Sequence, residues 1–197
     1  MTTKVRFDRT FSRLNFMRRR QPTVSVLMAS FNHAPFVAEA ITSVLSQSLT
    51  NIELIVVDDA SNDRTAEIVA SICDERLKLI CQPFNRGVHV RNLALSLARG
   101  RYIAFQNSDD VWQLDKLARQ LEVMEANDNL TACFTGVELI DVDGNAKKNS
   151  WGDNLFTVEN RLPRAWLRHF FDVGNCLALP SAMVRRSDLV KLGGFRG

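Results

Sequence analysis

Ile52-Glu53-Leu54-Ile55-Val56-Val57-Asp58-Asp59-Ala60-Ser61-Asn62-Asp63 is the stretch on which the fold turns. Its first six positions are apolar but for Glu53, the pattern of a strand covered on both faces. The strand ends on two acids, and Ser61, Asn62 and Asp63 are N-cap candidates for a helix carrying Ile68, Val69 and Ile72. The same unit precedes it: Val24–Ala29 reads as a buried strand, Ser30-Phe31-Asn32-His33 as a loop, and Val37, Ile41, Val44 and Leu45 mark a helix over 34–47. It recurs downstream as a strand at Leu77–Cys81, a turn at Asn85-Arg86-Gly87 and a helix through Val90, Leu93, Ala94 and Leu97, with Gly100 as its C′ residue. A strand at Arg101–Gln106 then runs into Asn107-Ser108-Asp109-Asp110. Leu114, Leu117, Leu121 and Met124 line the next helix, Thr131–Ile140 reads as a strand, and Asp143-Gly144 as a turn. Residues 145–162 read as a polar loop anchored by Trp151 and Phe156. Pro163 opens a short helix with Trp166 and Phe170, Asn175–Val184 reads as a strand, and Ser187–Leu192 as a last helical turn. This alternation predicts an α/β fold with a mainly parallel central sheet flanked by helices. In such sheets ligands bind beyond the carboxyl ends of the strands, where both acidic clusters fall.

At 197 residues, 46% hydrophobic and 24% charged, the chain has the size and composition of one packed domain. Its net charge of +3 is unevenly distributed: residues 1–20 hold seven basic side chains against one acid, a net +6, which leaves −3 for the rest. Residues 1–22 therefore read as a basic leader before a domain at 23–197, and the balanced body predicts no nucleic-acid partner. Cys73, Cys81, Cys133 and Cys176 form no C-x-x-C pair and read as reduced thiols. The longest uncharged stretch, 21–38, is interrupted by Pro22, Asn32, His33 and Pro35 and does not read as a membrane span. The leader lacks the apolar segment of a secretory signal, so the expected compartment is the cytoplasm. Phe7, Phe11 and Leu14 share a helical face among the leader's arginines, so residues 1–20 are expected either to reach an anionic membrane surface at its inner face or to form a disordered cytosolic tail.

Two acidic clusters at strand ends, with neither a Walker-type glycine loop nor G-x-G-x-x-G, point to an anionic ligand held through a divalent cation. Oxygen ligands of this kind suit Mg²⁺ or Mn²⁺. Strand-end aspartates can also simply cap the helices that follow. A phospho-receiver site would need its acidic pair after the first strand, where Ser30-Phe31-Asn32 stands instead.

Val24–His33, Leu54–Asp63, Asn85-Arg86-Gly87 with Arg91-Asn92, Phe105–Trp112 and Lys191–Phe195 resemble, in order and spacing, the successive signature segments of the family 2 inverting glycosyltransferases. The resemblance covers Thr23 to Phe195 and implies a GT-A fold, a Rossmann-like nucleotide-diphospho-sugar transferase architecture. It also implies transfer of a sugar from a nucleotide-sugar, with a UDP-sugar as the expected donor, to an acceptor hydroxyl on a carbohydrate or lipid-linked molecule. Cell-surface polysaccharide or glycoconjugate synthesis is the implied setting. By the same resemblance, Ala29, Ser30 and Phe31 receive the nucleobase, Phe31 by stacking, with a core aromatic at the strand end as the alternative, and Asp59, with Asp58 beside it, accepts a hydrogen bond from the base. Asn107-Ser108-Asp109 stands at the family's D-x-D position. This makes Asp109 the expected metal ligand, with Asn107 a neutral second donor, and places Ser108 against the nucleotide. Arg91 is the expected diphosphate contact, with a surface ion pair as the alternative, and His33 reads as a loop residue. Trp112 reads either as a wall of the sugar pocket or as packing for the following helix. Members of the family place an acid soon after the Gly-Gly-Phe segment to deprotonate the acceptor. Here the sequence ends on Gly193-Gly194-Phe195-Arg196-Gly197. The chain is therefore expected to be truncated before its catalytic base, with Asp110 and Asp188 as weak substitutes. A non-catalytic nucleotide-sugar-binding module, or an inactive fragment, is the alternative to an active enzyme.

Overall fold

The computed structural model describes residues 21–147 and 158–195. The basic leader at 1–20 and the expected anchors Trp151 and Phe156 lie outside the described residues. Within them the chain forms β1 (Val24–Ser30), α1 (Val37–Leu45), β2 (Ile52–Asp58), α2 (Thr65–Ser71), β3 (Leu77–Cys81), α3 (His89–Leu97) and β4 (Tyr102–Asn107). These are followed by α4 (Lys116–Ala126), β5 (Ala132–Phe134), α5 (Pro163–Asp172), a 3₁₀ turn at Leu179–Ser181, β6 (Ala182–Arg185) and α6 (Arg186–Lys191). The strands form one sheet in the order β3-β2-β1-β4-β6-β5. β3, β2, β1 and β4 pair in parallel, while β6 runs antiparallel to both β4 and β5. The expected α/β fold with a mainly parallel sheet is thus the one observed.

Strand alternation divides the core in two. Val24, Val26 and Met28 of β1 pack with Leu54 and Val56 of β2 against α1 and α4, while Leu27, Ile55 and Val57 meet Val90, Ala94 and Leu95 of α3 on the other side. β2 is buried at all seven positions because both faces are covered. Its one acid is held inside a hydrogen-bonded cluster. Glu53 accepts from Ser25 Oγ (2.7 Å), Lys78 Nζ (2.8 Å), the Arg99 amide (2.8 Å) and the Arg99 guanidinium (2.9 Å). Burial alone would raise this carboxyl, but the donors outweigh it and hold it at about 2.

Several local expectations are corrected. Thr131–Ile140 is strand only at Ala132–Phe134, because β6 offers three partner positions. Asn175–Val184 is strand only from Ala182, the preceding residues being diverted into the 3₁₀ turn around Pro180. α1 starts at Val37 rather than at residue 34, and α4 starts at Lys116, leaving Leu114 outside it and exposed. α2 begins at Thr65 after Arg64 without a side-chain cap. Of the three candidates, Asp63 instead accepts from the Thr65 amide (2.9 Å) and from Ala34 N (3.0 Å), tying the helix start to the loop after β1. Gly100 is not a left-handed helix terminator. α3 stops at Leu97 with Ala98 extended, and Gly100 is needed because a Cβ there would lie 2.5 Å from the Ser25 amide nitrogen.

Candidate functional site

The carboxyl ends of β1, β2 and β4 are adjacent: Ser30 lies opposite Asp58, and Ala29 opposite both Val57 and Asn107. The loops leaving β1 and β2 are joined to each other. Asn32 N donates to Ser61 Oγ (3.0 Å), Asn62 N to Asn32 Oδ1 (2.8 Å) and His33 N to Thr65 Oγ1 (2.9 Å). Two non-glycine residues take positive φ in these loops, Asn32 at 54° and Ala60 at 62°. Asn tolerates the left-handed region, whereas an Ala there is held by its surroundings at a cost.

The acidic pair after β2 divides its work. Asp58 is buried and accepts from Ser30 Oγ (3.1 Å), Ser61 N (2.9 Å) and Ser61 Oγ (2.6 Å), so it braces the strand ends. Asp59 is also buried, and its two oxygens accept the amides of Arg86 (2.7 Å) and Gly87 (2.8 Å), while Gly87 itself takes φ 56°. Asp59 therefore fastens the 85–87 turn to the end of β2, and α3 begins immediately behind that turn, its N-terminus at this edge. Phe31, by contrast, stands 40% exposed at the rim. It is not a core aromatic. Arg91 is half-buried in the first turn of α3.

At the end of β4, Asn107 Nδ2 donates to Asp110 Oδ2 (2.9 Å), and Gln106 Nε2 donates to the Asp110 carbonyl (2.6 Å). Burial raises the Asp110 carboxyl above its ordinary value, the neighbouring Asp109 adds to this, and the Asn107 bond and His33 oppose it. Asp109 keeps an exposed side chain with His33 Nδ1 at 3.9 Å. Ser108 is buried and shares a 2.7 Å hydrogen bond with His33 Nδ1. His33, read from sequence as a loop residue, is thus brought into the middle of the cluster. Its position inside the first signature segment was the signal. Trp112 is buried and packs between α1 and the 3₁₀ turn, with Nε1 donating to the Pro180 carbonyl (3.2 Å) and the Lys116 ammonium 4.0 Å over its ring.

Asp188 does not join this group. It lies in the first turn of α6, which leaves β6 beside the amino end of β4, where Arg186 N donates to Arg101 O (3.0 Å), and it pairs with Lys191 at 3.4 Å. The Gly-Gly-Phe segment folds back against α3: Gly193 and Gly194 take φ 82° and 75°, Asn92 Nδ2 donates to Phe195 O (2.7 Å), and Phe195 N donates to Asn92 Oδ1 (2.8 Å). Sequence reasoning gave Asn92 no role, although it stood beside Arg91 in a signature segment. Among the described residues, no three His, Cys, Asp or Glu side chains converge as a ready-made metal cluster.

The putative teichuronic acid biosynthesis glycosyltransferase TuaG of Bacillus subtilis is 41% identical over 131 residues, 65% of this chain and 52% of that protein. An uncharacterized glycosyltransferase of Haemophilus influenzae is 39% identical over 171 residues, 85% of this chain and 64% of its own length. The Escherichia coli UDP-Glc:alpha-D-GlcNAc-diphosphoundecaprenol beta-1,3-glucosyltransferase WfgD is 40% identical over 118 residues, 59% of this chain and 46% of that protein. The chain thus spans about half the length of the curated relatives it matches. Among solved structures, S. aureus TarS in complex with UDP superposes with a TM-score of 0.65 at 22% identity, covering 87% of this chain and 49% of that one. The Pyrobaculum calidifontis mannosyltransferase PcManGT, in complex with GDP-Man and Mn²⁺, gives 0.64 at 23% identity, covering 89% and 48%. These likenesses establish the fold as GT-A. Residues 25–187 match the family model for glycosyl transferase family 2, and the chain belongs to that family.

Proposed function

We propose that this chain is the donor-binding part of an inverting glycosyltransferase that takes a nucleotide-sugar, a UDP-sugar by preference, and serves cell-surface polysaccharide synthesis. The observation that carries this reading is the rim at the strand ends, where an exposed aromatic ring, Phe31, adjoins the braced Asp59 loop and an exposed carboxylate, Asp109. A nucleobase offers a π face for such a ring. In this reading Ala29, Ser30 and Phe31 border the base, Asp59, with Asp58 beside it, accepts from the base while its oxygens also hold the 85–87 turn, Ser108 lies against the nucleotide, and Arg91 attends the diphosphate.

The residues present fit a Mg²⁺ or Mn²⁺ ion that takes most of its ligands from phosphate and water. Such ions are ordinarily held by one or two carboxylates beside substrate phosphates. Asp109 supplies a free carboxylate, and Asn107, whose amide nitrogen is spent on Asp110, has its oxygen left to offer. The ion would neutralise charge on the departing diphosphate. Asp110 then acts by orienting Asn107, with an acceptor-side role open to its raised carboxyl. The acceptor, a carbohydrate or lipid-linked hydroxyl, reaches the site from the cytoplasmic face of the membrane, in line with the diphosphoundecaprenol named for WfgD.

A second reading is a nucleotide-sugar-binding module that leaves catalysis to another segment or partner. The position of Asp188 at the opposite end of the sheet, together with the engagement of Asp110 by Asn107, favours it. Titration calorimetry with UDP, GDP and UDP-sugars, with and without Mn²⁺, tests the shared part of both readings: UDP binds, and EDTA weakens it at least about tenfold, or 1.4 kcal/mol. Equal affinity in EDTA removes the metal, and failure to bind any nucleotide removes both readings. Acceptor-stimulated UDP release separates enzyme from module.

A further inference from the structure

α5 contributes no buried residue to the protein. Pro163, Leu167 and Phe171 recur every fourth position and so form one line along the helix. Leu167 is 71% exposed and Phe171 92%, and Leu162, just before the helix, is 79% exposed. Scattered exposed apolar residues need no explanation, but a continuous line of them does. Trp166 and His169 occupy the opposite, half-buried side. There Trp166 stacks on Phe170 with ring centres 5.5 Å apart and lines a cavity of about 410 Å³ with Phe134, Thr135, Cys176 and Ser181.

Charge borders this line on one side. Arg164 and Arg168 are exposed and lie next to Leu167 and Phe171 on the helix surface. From Arg161 to Phe171 the sequence carries three arginines, one histidine and no acid. Asp172, which follows, is paired with Arg168 at 3.1 Å in a solvated contact of little strength. An apolar line edged by cations is the surface of a helix lying in the boundary between lipid headgroups and acyl chains. A second copy of the chain is a poorer occupant. A two-fold contact would set like-charged arginines against one another, and a helix about 15 Å long presents far less than the roughly 800 Å² per partner of a stable interface. Among the described residues no helix is long and apolar enough to cross a membrane, so α5 would lie on the bilayer without spanning it.

We infer that α5 is an interfacial helix that docks this protein on an anionic lipid surface, with Leu162, Leu167 and Phe171 among the upper acyl chains and Arg164 and Arg168 on lipid phosphates. The chain after α5 enters the sheet through the 3₁₀ turn, whose Pro180 carbonyl receives Trp112, three residues beyond Asp109. Trp166 of α5 shares its cavity with Phe134 and Thr135 at the carboxyl end of β5, so docking by α5 would hold that end of the sheet near the bilayer. That this end meets a lipid-linked acceptor there rests on the function proposed above, whereas the docking itself does not.

The test is sedimentation of the full chain with vesicles of phosphatidylcholine alone or with added phosphatidylglycerol, at low and high salt. The expected result is phosphatidylglycerol-dependent binding that weakens with salt. The Leu167→Glu/Phe171→Glu double variant should bind about tenfold or more weaker, with its thermal midpoint and UDP affinity unchanged. Arg164→Gln/Arg168→Gln should lose the preference for phosphatidylglycerol. An Arg18→Ser/Arg19→Ser/Arg20→Ser variant should keep most of the binding. The inference is overturned if the parent chain binds neither vesicle, if the α5 variants bind as the parent does while the leader variant does not, or if light scattering shows that Leu167→Glu/Phe171→Glu dissolves a dimer. UDP calorimetry on the same samples reports on the donor site separately, so failure of docking and failure of the nucleotide reading give different results.

Discussion

Two oxygen donors two residues apart at the end of β4 differ by one charge, and that difference is measurable. Among the described residues Asp109 offers a carboxylate with no donor closer than His33 Nδ1 at 3.9 Å, whereas Asn107 offers a neutral amide already committed through its nitrogen to Asp110. Asp109→Ala should weaken Mn²⁺-dependent UDP binding by about 1.5–3 kcal/mol, the usual size of a lost charge-assisted contact, and Asn107→Ala by less. Isothermal calorimetry at fixed Mn²⁺ ranks the two. If Asn107→Ala proves the more damaging, the metal sits elsewhere. Phe31, Asp109 and Asn107 were singled out in the sequence through the family's signature segments, and the roles of the latter two are the proposal that these variants test. His33 and Asn92 were not legible there, since each acquires its role from a partner 75 or 103 residues away, Ser108 for one and Phe195 for the other.

Elements that sit where both flanks are covered came out near their expected limits, and those at the sheet edge did not. β2 is buried on both faces and reads as an uninterrupted apolar run, whereas the runs at 131–140 and 175–184 are longer than the strands they yield because β5 and β6 share only three paired positions. Gly100 shows how a correct residue can carry a wrong reason: glycine after a helix suggests a left-handed terminator, yet its requirement is the close approach of β1. Gly100→Ala places a methyl 2.5 Å from the Ser25 amide and 2.8 Å from the Val24 carbonyl carbon, both backbone atoms that cannot swing aside. It should cost about 1–3 kcal/mol, or roughly 2–4 °C of melting midpoint per kcal/mol. Gly136→Ala, where nothing lies within 4 Å, is the control and should stay within about 0.5 kcal/mol. Urea melts of both variants decide the matter, and equal costs would show that conformational freedom, not contact, explains Gly100.

The response of the whole molecule to acid should centre on Glu53, which draws β1, β2, β3 and the α3–β4 connection together through Ser25, Lys78 and Arg99. Its carboxyl lies at about 2 in the folded protein against an ordinary 4.5, so the stabilisation it confers is fully present above pH 4.5 and is lost as pH falls toward 2. The shift corresponds to an upper figure of about 3 kcal/mol. Glu53→Gln should therefore be less stable than the parent at neutral pH, with the gap closing between pH 4.5 and 2 in denaturant midpoints. A gap that stays constant with pH would assign the loss to packing alone. The sequence by itself determined the α/β class and a mainly parallel sheet, because burial on two faces and turn chemistry are written in local residue patterns, and its signature segments carried the family. Only the tertiary structure decided which aspartate braces and which faces solvent. It alone brought His33 beside Ser108 and Asn92 beside the Gly-Gly-Phe turn, and it alone left the apolar side of α5 uncovered. Each of these depends on what a distant segment places in the remaining space, and a local pattern holds no record of that.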